Sequence, residues 1–136
     1  MKRTATANWK GTGKEGKGTL SNQSGLLKDT HYTSASRFED AQGTNPEELI
    51  AAAHAGCFSM RLAYILAAAG FTADNIDTKC TITIESGTIN GSHLELKATI
   101  PGIDEAKFQE CAEDAKKTCP VSKALNMPIM LEANLV

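Results

Sequence analysis

The stretch GTNPEELIAAAHAGCFSMRLAYILAAAG, residues 43–70, decides the architecture. Its opening spells a helix start: Asn45 can cap, Pro46 suits the first helical position, and Glu48 stands three residues after the cap as in a capping box. Glu47 and Glu48 both favour the positive end of the helix dipole. Gly70 follows three alanines and can take the left-handed conformation that closes a helix. The segment between is long enough for a membrane span, but His54, Ser59 and Arg61 lie inside it and alanine outnumbers leucine, which makes insertion into lipid unfavourable. In water, a helix that is apolar nearly all round must be covered on most sides, so other elements are expected to wrap around it.

Working outward, KRTATANW reads as a strand, the glycine-rich GTGKEGKG as a turn, and KGTLS and THYTSAS as further short strands of a small antiparallel sheet. After the long helix, NIDTKCTITIES and SHLELKATI alternate with period two and are expected to form a hairpin, with Asn90-Gly91 in SGTING as its turn signal. Ile129, Leu131, Ala133 and Leu135 alternate in the same way and predict a last strand. Between them, Asp104 can cap a helix whose Phe108, Cys111, Ala112, Ala115 and Cys119 share one face, with Lys116 and Lys117 in the last turn. Pro120 breaks that helix or starts a short one, PVSKAL, which leaves Cys119 at a junction near free backbone N–H groups. No repeat, low-complexity tract or linker interrupts the chain.

At 136 residues with 41% hydrophobic composition, the expectation is a single α+β domain over residues 1–136 with a real core. A formal charge of −2 gives no basic surplus for nucleic acid. MKRTATANWK lacks the apolar core of a signal peptide, and four cysteines are too sparse for a disulfide scaffold, so a cytoplasmic, reducing location is expected.

The four thiols are Cys57, Cys80, Cys111 and Cys119, separated by 23, 31 and 8 residues with no CxxC pair, which argues against a metal site. His54 and Cys57 could form two corners of one, but a core histidine is the simpler reading. Cys80 in an alternating strand and Cys111 on an apolar helix face read as small buried hydrophobes. Eight residues of helix give roughly 12 Å of rise, too far for Cys111 and Cys119 to bond. For Cys57 two readings stand side by side, inert packing and chemistry. Chemistry needs a thiolate, and a thiolate needs positive charge, which either Arg61 or Arg37 could supply. Arg61 could equally run to the surface and cover apolar neighbours with its stem.

The chain resembles the osmotically inducible protein C and organic hydroperoxide resistance (OsmC/Ohr) family of thiol peroxidases over nearly its whole length. The matching motifs come in order: W-x-G within NWKGTGKEGKGTLS, SRFEDAQGTNPEELIAAAHAGCFSM, the AGF at the helix end, IPGID, and CPVSKAL. The resemblance implies an α+β, OsmC-like fold in which antiparallel sheets wrap around the long apolar helix in an intertwined homodimer, with active sites at the subunit interface. It also implies a cysteine-based peroxidase that reduces organic hydroperoxides to alcohols, and inorganic ones more weakly. Cys57 matches the peroxidatic cysteine, which becomes a sulfenic acid, and Cys119 the resolving cysteine, which condenses with it to a disulfide. Arg37 within SRFED matches the activating arginine of the OsmC branch, and Glu47 the family's glutamate. No metal, haem or flavin is implied. The electrons come from an external dithiol, lipoyl groups being the family's preferred donor.

Elementary chemistry supports that set. A guanidinium lowers the pKa of a nearby thiol, and a carboxylate gripping its fork fixes where it points, so Glu47 should serve Arg37; simple dipole compensation is the competing role for either Glu47 or Glu48. Ten helical residues separate Glu47 from Cys57 by about 15 Å of rise, so direct contact would need a break, for instance near Gly56. Leu49, Phe58 and Met60 are candidates to line an apolar substrate cleft, and an open Cys119 would make the disulfide reducible. Two other readings use the same residues: a non-enzymatic thiol redox sensor or hydrophobic-ligand-binding dimer, and a structural domain with an inert cysteine.

Overall fold

The computed structural model describes all of residues 1–136. The fold is mixed α+β, with two three-stranded sheets and four helices. The chain divides into two compact units, Met1–Leu49 and Ile50–Val136, each described in turn.

In the first unit, β1 (Ala5–Lys10), β2 (Lys17–Asn22) and β3 (Thr30–Tyr32) form an antiparallel sheet in that order, as expected. Trp9 and Tyr32 pack ring against ring, 5.2 Å between centroids. The strand expected over THYTSAS stops at Tyr32, because Thr33 caps a short helix, α1 (Ser34–Phe38), instead. Thr33 Oγ1 accepts from Ser36 N–H at 3.0 Å and Ser36 Oγ accepts from Thr33 N–H at 2.8 Å, a reciprocal capping box that outweighs the β-preference of the threonines. Ser36 Oγ also donates to Thr44 O at 2.9 Å, which ties the loop after α1 back onto it.

The helix α2 runs unbroken from Pro46 to Ala68, straight through Gly56. Asn45 caps it, its Oδ1 accepting from Glu48 N–H at 2.8 Å. The other half of the expected capping box is replaced: the Glu48 carboxylate takes the Thr44 hydroxyl. Gly70 closes the far end at φ +87°, as expected.

In the second unit, β4 (Asn75–Glu85) and β5 (Thr88–Thr99) make the expected hairpin. Its turn is Ser86-Gly87, with φ of +49° and +76°, the signature of a two-residue type I′ loop. Asn90-Gly91 is not the turn. Thr83 pairs with Gly91 and Ile84 with Ile89, so Asn90 is the extra residue of a bulge inside β5. The last strand, β6 (Ile129–Leu135), joins the same sheet parallel to β5. α3 (Glu105–Thr118) starts at Asp104, whose carboxylate accepts from Lys107 N–H at 2.8 Å, and α4 (Pro120–Ala124) follows at once.

The core of this unit joins Phe58, Leu62 and Leu66 of α2 with Leu94, Leu96 and Ala98 of β5 and with Phe108, Cys111, Ala112 and Ala115 of α3. The polar groups inside α2 also turn inward: Ser59 Oγ meets Thr78 Oγ1 at 2.7 Å, and His54 meets two buried serines. Coverage nevertheless falls short of expectation. Beyond its first turn, where Glu47 is buried, one chain buries only the stripe His54, Phe58, Leu62, Leu66, every fourth residue, and 22% of the helix's most apolar 18-residue window. Ala52, Ala53, Gly56, Met60, Ala63, Tyr64, Ala67 and Ala68 stay exposed.

Candidate active site

The two halves of the expected constellation form in different units. In the second, Cys57 and Cys119 come together with their sulfurs 2.8 Å apart, both as free thiols. α2 presents Cys57 one residue before the buried Phe58, which leaves its sulfur partly exposed at the edge of the core stripe. Cys119 ends α3 and caps α4, and it is fully buried. The expected open resolving thiol is thus the closed one, because the α3–α4 junction folds it into the core. Access is through Cys57.

Cys57 lies on a cavity of about 280 Å³ lined by Met60, Arg61, Tyr64, Thr118 and Pro120. Met60 was an expected lining residue; Phe58 was too, but at 0% exposure it is core. Leu49 belongs to the other unit. Arg61 neither runs to the surface nor finds a carboxylate. Its Nε donates to Thr118 Oγ1 at 2.7 Å, and that hydroxyl donates in turn to Asp114 O at 2.7 Å, so the guanidinium is held in the cavity wall.

Burial, above all, pushes the Cys57 thiol pKa up, and the hydrogen bond with Cys119 pushes the same way. The backbone N–H of Val121 opposes both, drawing the pKa down. Sequence reasoning placed free N–H groups at this junction but aimed them at Cys119. Thr118, Tyr64 and Val121 were missed. Tyr64 shares a helix face with Cys57 at i+7, and Val121 is the second residue of a helix opened by proline, a position whose N–H has no helical acceptor.

In the first unit, Arg37 and Glu47 grip each other. Arg37 Nη2 donates to Glu47 Oε1 at 2.7 Å, and Nε donates to Oε1 at 2.9 Å and Oε2 at 3.2 Å. The Arg37 guanidinium also lies 5.0 Å from the centre of the Phe38 ring. Burial, the largest influence on Glu47, favours its neutral form, but the Arg37 hydrogen bond and charge, with a backbone N–H, outweigh it and hold the carboxylate below its usual range. Arg37 is raised, chiefly by the same hydrogen bond. A cavity of about 340 Å³ lined by Trp9, Tyr32, Ser34, Arg37 and Phe38 adjoins the pair. Of the two glutamates at the helix start, Glu47 holds Arg37 and Glu48 serves the cap.

The remaining candidates behave as packing. Cys111 is 2% exposed, Cys80 packs against the core, and burial raises both thiols. His54 is a core histidine whose pKa burial lowers. No three His, Cys, Asp or Glu side chains converge as a metal-binding group.

The family model described as OsmC-like protein matches residues 39–134. The chain is 44% identical over 133 residues to the peroxiredoxin OsmC of Escherichia coli K12, covering 95% of this chain and 93% of that one. It is 34% identical over 89 residues to the organic hydroperoxide resistance protein of Xanthomonas axonopodis pv. citri, covering 60% of this chain and 59% of that one. Among solved structures, the OsmC-like protein of Mycoplasma pneumoniae superposes with a TM-score of 0.78 over 100% of this chain and 98% of that one, a likeness of fold at 16% identity. With a thiol pair in place and these likenesses spanning both units, the chain belongs to the OsmC-like family.

Proposed function

We propose that this chain, a cysteine-based peroxidase by family, reduces organic hydroperoxides to alcohols by a two-thiol cycle. One observation carries the reading: the sulfurs of Cys57 and Cys119 lie 2.8 Å apart, with Cys57 facing a largely apolar cavity. The Cys57 thiolate attacks the peroxide oxygen, the O–O bond breaks, and the alcohol leaves with a proton, which makes Cys57 a sulfenic acid. Cys119 then attacks the Cys57 sulfur, forming the disulfide and releasing water. An external dithiol, a lipoyl group among them, reduces the disulfide by exchange.

The first step needs a thiolate, yet burial and the neighbouring thiol favour the neutral form of Cys57. The cation that reverses this is Arg37, oriented by Glu47. The reading therefore requires the two units to act as one OsmC-like domain over residues 1–136, with Arg37 delivered to Cys57 within a chain or between two. The exposed apolar face of α2, with its small residues Ala52, Gly56 and Ala63, supports an intertwined homodimer in which a second copy covers it. A cytoplasmic location suits free thiols.

Mass spectrometry after one equivalent of cumene hydroperoxide tests the cycle. The expected product is a Cys57–Cys119 disulfide, with steady turnover once a dithiol is added. Oxidation that stops after one equivalent despite the dithiol would instead favour a redox sensor.

A further inference from the structure

His54 lies one helical turn before Cys57 and heads the buried stripe of α2. It is fully buried, and each ring nitrogen meets a serine hydroxyl. Nδ1 is 2.7 Å from Ser92 Oγ on β5, and Nε2 is 2.7 Å from Ser122 Oγ on α4. A neutral imidazole has one donor and one acceptor nitrogen, and a hydroxyl can play either part, so the ring is satisfied in both tautomers. Both serines are buried too, at 0% and 7% exposure.

The proposed reaction uses none of these three side chains, yet they join the two elements that carry it. α2 holds Cys57, and α4 is a five-residue turn capped by Cys119. α4 has no side-chain cap at its start, and Ser122 is its one buried residue. The short helix that follows the resolving sulfur is thus fastened to the core by one side-chain hydrogen bond, to the ring of His54, beside the packing of Val121 and the bond from the Val121 backbone N–H to Cys57.

We propose that His54 is a positioning residue for the disulfide-forming step: through Ser122 it pins the α4 turn, and so holds Cys119 within reach of Cys57. The proposal rests on the two-thiol reading above. In that step the Cys119 thiolate attacks the sulfur of the Cys57 sulfenic acid. The S–S bond forms, the S–O bond breaks, and the departing hydroxide takes up the proton given by Cys119 to leave as water. His54 exchanges neither proton nor electron. Its part is geometric, and geometry counts here because a misplacement of about 1 Å can cost about a hundredfold in rate.

Rapid mixing with one equivalent of cumene hydroperoxide, quenched with dimedone and read by mass spectrometry, separates the two steps. The unaltered protein should give the disulfide with little Cys57 dimedone adduct. If it gives neither sulfenate nor disulfide, the peroxidase reading itself fails and the pin falls with it. Ser122→Ala should form the disulfide about tenfold more slowly and accumulate the adduct, while peroxide oxidises Cys57 within about twofold of the normal rate. His54→Gln keeps an amide near the Nε2 position and should resolve quickly. His54→Asn reaches only the Nδ1 position and should resolve slowly, although both variants lose a similar amount of Tm. This second pair carries the test should Ser122→Ala fail to fold. Equal slowing of both steps in Ser122→Ala, or normal resolution in both Ser122→Ala and His54→Asn, would overturn the pin.

Discussion

The thiol pair and the ion pair rest on different kinds of structure. Cys57 and Cys119 belong to residues 50–136, where every buried apolar side chain of the protein is found. Arg37 and Glu47 belong to residues 1–49, whose buried side chains are polar: Ser36, Thr44 and Glu47. There a capping box, the Ser36–Thr44 bond and the ion pair do the work that packing does elsewhere. Close-packed cores fix positions to fractions of an ångström, which suits two sulfurs that must bond. Polar contacts yield more easily to solvent and protonation, which makes this unit the sensitive one.

The largest effect should come from the packed unit. Cys57→Ser is expected to abolish peroxide turnover, because serine ionises far too weakly to act as the nucleophile at neutral pH. Cys119→Ser should still react once, leaving a sulfenic acid at Cys57 that dimedone traps. A Cys57→Ser variant that keeps turnover would move the chemistry off Cys57 to another group.

Next comes the ion pair. If Arg37 supplies the charge that activates Cys57, Arg37→Ala should raise the Cys57 pKa by about one to three units and slow its oxidation at neutral pH by about 10- to 1,000-fold. Ultraviolet titration of the thiolate measures the first and stopped-flow kinetics the second. Arg37→Lys should fall between, since a lysine keeps the charge without the fork that Glu47 grips. Acid should act through Glu47. Its folded pKa lies below the ordinary 4.5, so the ion pair's stabilising contribution is complete above about pH 4.5 and is lost as pH falls through the lower folded value. Glu47→Gln should remove that acid limb. An unchanged thiolate titration in Arg37→Ala would leave the two units functionally separate.

The same division shows in what could be read from the chain. The ends of α2 were legible because caps are local chemistry: Asn45, Pro46 and Gly70 act on their own neighbours. α1 was equally local, but its Thr33 and Ser36 box lay inside a threonine-rich run that also fits a strand. The hairpin offered two turn signals, Ser86-Gly87 and Asn90-Gly91, and the choice belonged to register. With the turn at Ser86-Gly87, Thr78, Cys80 and Ile82 face Leu96, Leu94 and Ser92 across the sheet. The parallel addition of β6 and the 62-residue span from Cys57 to Cys119 leave no local signature, since only tertiary packing creates them. Family resemblance alone pointed to those two sulfurs as partners. It said nothing of His54 between Ser92 and Ser122, which shows only when three distant segments meet.

That histidine gives the packed unit an acid response of its own, at higher pH than the ion pair's. Burial lowers the His54 pKa below the ordinary 6.5, so the unfolded chain takes up a proton there before the folded one does. Stability is complete above about pH 6.5 and should fall below it by up to about 1.4 kcal/mol per pH unit, until the folded pKa is reached. Denaturant titrations across pH 5 to 7 should show this slope, and His54→Gln should flatten it. If the slope survives that substitution, another group carries it.

The smallest expected effect separates the units most finely. Thr33 and Asp104 do the same job, each accepting from a backbone N–H three residues on, at 3.0 and 2.8 Å. Thr33→Ala and Asp104→Ala should each cost about 1 kcal/mol of stability. Their effects on activity should differ. Asp104 opens α3 fifteen residues before Cys119, and α3 is held by Phe108, Cys111, Ala112 and Ala115 whatever happens at its cap. Its loss should lower Tm and leave the rate of Cys57 oxidation alone. Thr33 opens a helix of five residues whose one buried member is Ser36 and whose fourth is Arg37. Without the cap, α1 keeps only its ties to Thr44, Asn45 and Glu47, with no apolar core beneath it, and the guanidinium loses part of its orientation. The oxidation rate should therefore fall severalfold for the same loss of stability. Equal rates in the two variants would mean that Glu47 alone aims Arg37.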